Sequence, residues 1–180
     1  MCPAPATPAT PATSSKPCQH HPGDGWQYYP HTKGCYKFIN INVTWPEADS
    51  DCRSKGGHLA SIMDNATNIW LVTHITQKRA WIGAHQNSGG GINSWKWSDG
   101  SKWCFVNWLS GEPNDHIETG GDENYVELNH PDQFDTEKGN TLGQWNDEAR
   151  KRGYICQQGL QKLLIAMYLY LPKNDLLEAS

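Results

Sequence analysis

Six cysteines, spread over most of the chain, constrain the fold more than any other feature of this sequence. They form no Cys-x-x-Cys pair, so a zinc ribbon or a thioredoxin-type site is not expected. Their even number and wide spacing predict disulfides, which persist in oxidising compartments. Two glycosylation sequons, which begin at Asn42 and Asn65, agree with such a compartment. The sequence therefore predicts a secreted or extracellular glycoprotein, with cysteines at Cys2, Cys18, Cys35, Cys52, Cys104 and Cys156.

Length and charge narrow the class of protein further. The 180 residues suit one domain, and the net charge of −4 gives no reason to expect nucleic acid or an anionic membrane as a partner. Residues 1–20 lack the apolar core of a signal peptide, so we expect a mature form from which the signal has been removed. An apolar run from Leu163 to Leu171 is too short to span a bilayer, so no transmembrane segment is predicted.

Two helices have clear boundaries in the sequence. The first is predicted to start at a capping box of Thr44 and Glu47 and to end at Gly56-Gly57. Its buried face is predicted to carry Trp45, Ala48 and Cys52. The second helix is predicted from about Asp64 to Ile75, with a buried stripe of Ile69, Val72 and Ile75.

Short strands are predicted before and after these helices. The alternation in Cys35-Tyr36-Lys37-Phe38, after a turn at Lys33-Gly34, predicts a hairpin that a Cys18–Cys35 bridge would staple. His58–Ile62 is read as a short strand or a link. Between the later strands lies a long region rich in loops, and such regions are often functional. The later strands are predicted at 80–84, 95–97, 125–128, 144–147 and 154–156.

Oxygen-rich side chains gather in this loop region. They occur as Glu112-Pro113-Asn114-Asp115, as Asp122-Glu123-Asn124, and as Asn146-Asp147 after a tryptophan. Ca²⁺ prefers six to eight oxygen ligands from carboxylates, amides and carbonyls in a flexible cage. A single Glu-Pro-Asn could equally be an ordinary turn. Three such segments together predict a calcium site.

Read in order, the chain resembles the C-type lectin-like domain. The resemblance covers about 18–158, and each motif is weak alone but the ordered set is specific. It follows a Pro-Ala-Thr-rich linker at 1–17 and precedes an extension at 159–180. The motifs are Gly34-Cys35-Tyr36, the helix with Trp45, Ala48 and Cys52, Gly57-His58-Leu59-Ala60, Trp81-Ile82-Gly83, Trp108, Glu112-Pro113-Asn114, Trp145-Asn146-Asp147 and Cys156.

This resemblance implies an α+β fold, with two helices packed on two small antiparallel sheets and a long-loop calcium and sugar site. It implies the pairing Cys52–Cys156, and a Cys18–Cys35 bridge similar to that of the long form of the family. It also implies a cis peptide before Pro113 and a core role for Trp145. The implied ligands of Ca²⁺ and of a mannose-type sugar are Glu112, Asn114, Glu123, Asn146 and Asp147.

The chain departs from the family pattern where a second internal bridge is usual. Tyr125 and Arg150 stand at its two positions, where an Arg–Tyr stack could take its place. We also expect a mobile loop between His130 and Thr141. Cys2 and Cys104 are left over. They could pair with each other, join another chain into an oligomer through Cys2, or stay free.

Other residues in the region carry weaker expectations. Asp115 and Asn124 fit a second calcium site, although the loop after Trp81-Ile82-Gly83 lacks the expected acidic residues. His116 could touch a bound sugar or could simply be solvated. The sequence contains no catalytic motif, so no enzyme is predicted. We expect calcium-dependent binding of mannose-, N-acetylglucosamine- or fucose-type glycans. The alternative is a lectin-like domain that binds a protein partner without sugar.

Overall fold

The computed structural model describes residues 18, 23–86, 94–115, 123–129 and 143–159. The predicted linker, most of the extension, His116 and the loop from His130 to Thr141 lie outside these residues. The described chain begins with a hairpin of β1 (Trp26–Tyr29) and β2 (Gly34–Val43), paired antiparallel. Lys33 takes a left-handed conformation at the turn, with φ of 52°. The Cys18–Cys35 disulfide is present, as predicted.

Helix α1 (Trp45–Ser54) starts at the predicted capping box. Glu47 Oε2 accepts hydrogen bonds from both the backbone nitrogen and the hydroxyl of Thr44, each 2.8 Å long. The predicted face of the helix is buried, and it includes Cys52. Cys52 is bonded to Cys156 in strand β8 (Arg152–Gly159), so the first helix is tied to the last strand. That bridge was implied by the resemblance and is confirmed.

A close backbone approach follows α1. Strand β3 (His58–Leu59) pairs antiparallel with β8. A Cβ on Gly57 would lie 2.2 Å from the carbonyl oxygen of Gln157, closer than non-bonded atoms can come. Only glycine therefore lets the chain leave the helix at this point and join the sheet.

Helix α2 (Asn65–His74) has Asp64 as its N-cap, and Asp64 Oδ1 accepts from the Thr67 nitrogen at 2.7 Å. Its buried stripe differs from the prediction, because Ile69 is only partly buried whereas Leu71 is fully buried. Asn68, also fully buried, is the reason. It donates from Nδ2 to the Gly143 oxygen at 2.9 Å and accepts from Trp145 Nε1 at 2.8 Å. An apolar pattern alone could not place this polar residue on the inner face.

The remaining strands are β4 (Arg79–His85), β5 (Lys96–Trp97), β6 (Tyr125–Asn129) and β7 (Trp145–Glu148). Within the described residues the strand order is β1-β2-β8-β4-β6-β7, with β3 on β8 and β5 on β4. The predicted α+β class is confirmed. The two expected antiparallel sheets are joined into one mixed sheet, because β4 pairs with β8 in parallel at Ala80↔Gly153 and Trp81↔Tyr154.

The core is unusually aromatic around Trp145. This side chain is fully buried, which confirms its predicted core role. Four aromatic rings lie with their centroids within 5.9 Å of its own, those of Trp97, Trp103, Phe105 and Trp108. Burial of this residue fixes the position of the strand that continues into Asn146 and Asp147. No helix in the described ranges is long and apolar enough to cross a membrane.

Candidate functional site

The loop that carries Glu112 is anchored to strand β7. Leu109 donates from its backbone nitrogen to the Trp145 oxygen at 2.9 Å, and Trp145 donates to the Asn107 oxygen at 2.7 Å. The Glu112 nitrogen closes a turn onto the Leu109 oxygen at 3.0 Å. The Glu112–Pro113 peptide is cis, as the resemblance implied. Glu112 is thereby held beside the strand that presents Asp147.

Asp147 organises this loop with both carboxylate oxygens. Its Oδ1 accepts from the backbone nitrogen of Asn114 at 3.1 Å, and its Oδ2 accepts from that of Asp115 at 2.8 Å. The side-chain amide of Asn114 donates from Nδ2 to Glu112 Oε1 at 2.9 Å. Asp147 is fully buried. Three predicted ligands, from two separate segments, are therefore joined by direct hydrogen bonds.

Glu123 reaches the same group through Asp115. The backbone nitrogen of Glu123 donates to Asp115 Oδ1 at 3.1 Å. Asp115 itself takes a left-handed conformation, with φ of 49°. The Glu123 residue is only 4% exposed. Asp115 therefore positions Glu123 against the loop, whatever further role its own carboxylate has.

The electrostatics of the group are those of gathered carboxylates. Burial, followed by the nearby Asp147 and Glu123 carboxylates, raises the pKa of Glu112 to about 8. Glu112 Oε2 is buried and receives no hydrogen bond. The nearby Asp147 carboxylate therefore favours a proton on Glu112. A divalent cation would relieve the same repulsion, so the residues present fit Ca²⁺.

Two other predicted residues make further hydrogen bonds. Asn146 donates from Nδ2 to the Asp147 carbonyl oxygen at 2.7 Å and towards Glu127 Oε1 at 3.4 Å. The backbone oxygen of Asn124 accepts from the Gln86 nitrogen at 3.0 Å. Among the described residues, no three His, Cys, Asp or Glu side chains are arranged to hold a metal ion. The three predicted carboxylates, Glu112, Glu123 and Asp147, therefore fit Ca²⁺ by their chemistry, but the structure does not bring all three together as ligands.

The structure shows other contacts for Tyr125 and Arg150. Tyr125 stacks on Trp45, with ring centroids 4.9 Å apart and planes at 15°. Arg150 donates from Nε to Glu148 Oε1 at 3.0 Å. Glu148 lies two residues before Arg150 and directly opposite Tyr125 in the sheet.

A buried ionic cluster at this place was missed by the sequence analysis. Glu127 and Glu148 are both fully buried. Arg79 donates to Glu127 Oε1 at 2.9 Å, and Arg152 bonds both carboxylates. A signal was available, because Glu127 interrupts an apolar strand and Arg152 begins another. Charges at two strand positions predict a pair only when the strand order is known.

The fifth described cysteine is also bonded. Cys104 is in a disulfide, and neither of the two bridges between described residues contains it. None of the five described cysteines is free. A free thiol at Cys104, one of the three alternatives, is therefore excluded.

Comparison with known proteins decides the family. The model of the lectin C-type domain matches residues 41–158. This chain belongs to the C-type lectin domain family. The match spans the loop of Glu112, the strand of Asp147 and the bridge Cys52–Cys156. As a member of the family, the chain is a non-enzymatic domain of a carbohydrate-binding class, which agrees with the prediction that it is not an enzyme.

Individual relatives of this lectin domain differ in what their names say. The galactose-specific lectin nattectin of Thalassophryne nattereri is 32% identical over 157 residues, which are 83% of this chain and 84% of that protein. The C-type domain of cow CD23, solved in the presence of GlcNAc2Man3 oligosaccharide, is 26% identical with a TM-score of 0.59. That match covers 75% of this chain and 93% of the CD23 chain. The match to asialoglycoprotein receptor 2 of Mus musculus spans only 36% of the length of that protein.

A calcium-independent neighbour shares the fold. The structure of a calcium-independent type II antifreeze protein superposes with a TM-score of 0.60 at 23% identity, over 78% of this chain and 98% of that one. At this identity the likeness shows the fold alone. The C-type lectin fold therefore also occurs in a protein described as independent of calcium. The fold alone does not indicate a metal in this chain, whereas its own residues can.

Proposed function

We propose that this C-type lectin domain is a secreted, calcium-dependent receptor for mannose-type glycans. The observation that carries the proposal is the hydrogen bond from Asn114 Nδ2 to Glu112 Oε1 beside the buried, unpartnered Oε2 of Glu112. It brings one amide and one carboxylate together at the same place, with a carboxylate oxygen left for a cation. The proposed ligands of both calcium and sugar are Glu112, Asn114, Glu123, Asn146 and Asp147.

The chemistry of these side chains favours a particular pair of hydroxyls. When bound, Ca²⁺ would supply positive charge and open coordination positions for two neighbouring sugar hydroxyls. The Glu112 carboxylate only accepts hydrogen bonds, while the Asn114 amide can also donate. One sugar hydroxyl therefore faces the acceptor, Glu112, and the neighbouring hydroxyl faces the donor, Asn114. The Glu-Pro-Asn order resembles the mannose-type arrangement, which takes equatorial 3- and 4-hydroxyls as in mannose, glucose and N-acetylglucosamine; fucose fits through an equivalent pair.

The relatives do not agree on the sugar. Nattectin is named for galactose, whereas the CD23 domain was solved with a mannose-containing oligosaccharide. Neither name can be transferred directly, because identity is only 32% and 26%. We choose mannose because the order of carboxylate and amide at Glu112 and Asn114 is a property of this chain itself.

A binding assay on immobilised mannose tests the proposal. Purified protein is applied in about 5 mM calcium, above the Kd of about 10⁻⁴–10⁻³ M that is typical of extracellular calcium sites. We expect retention, elution by free mannose, weaker elution by galactose, and complete release by EDTA. Elution by galactose but not by mannose would overturn the sugar assignment. Retention that survives EDTA would overturn the calcium dependence.

The alternative is a lectin-like domain that binds a protein without calcium or sugar. The calcium-independent neighbour shows that this fold is compatible with such an alternative. The gathered carboxylates favour the calcium site instead, because burying Glu112 and Asp147 together is costly unless a cation or a proton neutralises them. A glycan array probed in calcium and in EDTA separates the two, since a protein-only binder gives no calcium-dependent signal on any glycan.

Further features of the proposal rest on the sequence. Asp115 and Asn124 are proposed to supply a second, weak calcium site, and His116 a sugar contact. Asn42 and Asn65 are exposed, as a glycosylated asparagine must be.

A further inference from the structure

Five basic side chains line one open cleft of about 390 Å³ in the described part of the molecule. They come from two segments, the turn before β4 with the first residue of β4, and the link between β7 and β8 with the first residue of β8. No acidic residue lines the cleft. The chain has 15 Lys and Arg and a net charge of −4, so a third of its fixed positive charges meet in one place against the overall sign. They are Lys78, Arg79, Arg150, Lys151 and Arg152.

Two of the guanidinium groups are oriented by ion pairs with carboxylates that do not line the cleft. Arg152 bonds Glu127 and Glu148, and Arg79 bonds Glu127 Oε1 at 2.9 Å. Both carboxylates are fully buried, so they orient the arginines without lining the cleft. Arg79 uses one nitrogen, Nη1, in this contact, and its guanidinium group carries further N–H donors. Preoriented guanidinium groups suit oxyanions, because their fork of donors matches two oxygens at once.

The two lysines of the cleft add further positive charge. Lys78 and Lys151 are exposed. Lys78 makes no ion pair within the described ranges, and Lys151 acts on Glu47 only at a distance. If all of these groups are ionised, five positive side chains and two buried carboxylates leave a local excess of about three positive charges. Such an excess attracts anions and is weakened by salt.

We propose that this cleft binds a sulfate or phosphate ester on a saccharide, independently of calcium. A saccharide is the argued carrier because the domain belongs to a carbohydrate-binding family. The volume lies within the range of about 300–1,000 Å³ that small-ligand sites occupy. The cleft is lined by none of the proposed calcium ligands, so the two sites can be tested separately. The inference does not depend on the mannose proposal.

Asn42 also lines the cleft, and it begins a sequon. A glycan attached there would stand at the cleft wall. The binding experiment therefore uses Asn42→Gln in every protein, which removes the sequon and keeps an amide at the same position. All measurements are made in EDTA, so that binding through the proposed calcium site does not contribute.

The test compares two double variants that remove the same charge. Lys78→Ala with Lys151→Ala removes the two lysines of the cleft, and it spares the arginines that neutralise Glu127 and Glu148. Lys96→Ala with Lys102→Ala is the matched control, because both lysines are exposed and lie outside the cleft. Circular dichroism confirms that both variants keep the fold.

The probes are a heparin-derived sulfated hexasaccharide, its desulfated form, and mannose 6-phosphate, with Kd measured by calorimetry. We expect the sulfated hexasaccharide to bind, the desulfated form not to bind, and the cleft variant to raise Kd at least tenfold while the control changes it less than twofold. Binding of mannose 6-phosphate under the same conditions would assign phosphate esters as well. Equal weakening by both double variants, or no binding of either anionic probe in EDTA, would overturn the proposal.

Discussion

Arg79 donates from Nη1 to Glu127 Oε1 over 2.9 Å, and the carboxylate that accepts is fully buried. Arg152 bonds the same carboxylate and that of Glu148. Burial raises the pKa of Glu127, while Arg152 and Arg79 act in the opposite direction. This cluster lies where the family usually has a second internal disulfide, so ionic contacts connect β6 and β7 to the start of β8 in this chain.

Replacement of Arg152 is expected to be costly, because it leaves two buried carboxylates short of a partner. We predict that Arg152→Met lowers the free energy of unfolding by about 3–5 kcal/mol, the usual cost of breaking a buried pair. The matched control is Arg150→Met, which also loses a bond to Glu148. The Arg150 side chain is 56% exposed, so its loss should cost at most about 1 kcal/mol. Urea denaturation measures both, and equal costs would contradict the prediction.

Gly57 is predicted to be irreplaceable for a steric reason. A Cβ there would lie 2.2 Å from the Gln157 oxygen, and that atom is backbone, which cannot swing away. We expect Gly57→Ala to destabilise the domain by about 1–3 kcal/mol, as overpacking does. Gly159→Ala is the control, since nothing lies within 4 Å of its Cβ, and it should change stability by no more than about 0.5 kcal/mol. Thermal unfolding of both variants would show a drop for Gly57→Ala alone.

Local signals in the sequence predicted most of this fold. The capping box of Thr44 and Glu47, the N-cap Asp64 and the turn at Lys33-Gly34 each act through neighbours a few residues away, so a pattern can reveal them. The order of motifs then gave the family and both bridges between described cysteines. What failed depended on contacts distant in sequence. Asn68 faces inward because Trp145 and Gly143 offer it partners, and no local pattern contains those residues.

The sequence named the residues of the candidate site as a hypothesis, whereas their geometry required the structure. Glu112, Asn114 and Asp147 are joined by hydrogen bonds, yet Asn146 turns its amide nitrogen towards Glu127. The presence of oxygen-bearing side chains in the loops could not indicate that Asn146 would differ from Asn114 in this way. The contacts of Tyr125 with Trp45 and of Arg150 with Glu148 were likewise not contained in any local pattern.

The raised pKa of Glu112 predicts proton release on calcium binding. In the calcium-free protein its pKa is about 8, so near pH 7 this carboxyl is largely protonated. A calcium ligand must be ionised, so binding should release up to about one proton and weaken by up to about tenfold per pH unit as pH falls below 8. Calorimetry in two buffers of different ionisation enthalpy measures that release. No release at pH 7 would contradict it.

The same pKa has a consequence for stability without calcium. Because the folded pKa of about 8 lies above the ordinary 4.5, the native state binds a proton more tightly than the unfolded chain. The contribution of Glu112 to stability is therefore fully present below about pH 4.5 and is lost as pH rises through 8. Glu112→Gln should remove this slope from unfolding measured in EDTA. Excess calcium should restore stability to the unmodified protein at high pH, since it neutralises the ionised group.

An exchange of the amide and the carboxylate tests the assignment of the sugar. Glu112→Gln with Asn114→Asp keeps the charge and the number of oxygen donors, so calcium affinity should change less than about threefold, under 1 kcal/mol. It reverses which side accepts and which donates, so the two sugar hydroxyls meet the wrong partners. We expect mannose affinity to fall at least tenfold, about 1.4 kcal/mol, and the preference to shift towards galactose. Full galactose affinity is not expected without a further aromatic surface.

A matched exchange elsewhere controls for charge and folding. Asp24→Asn with Gln27→Glu moves one carboxylate and one amide at positions outside the group of Glu112 and Asp147 and outside the basic cleft. This control should bind mannose like the unmodified protein, and both proteins should unfold at the same temperature in calcium. Isothermal titration with mannose, galactose and calcium measures all three affinities. A site variant that keeps its calcium affinity and its preference for mannose would show that the order of Glu112 and Asn114 does not select the sugar.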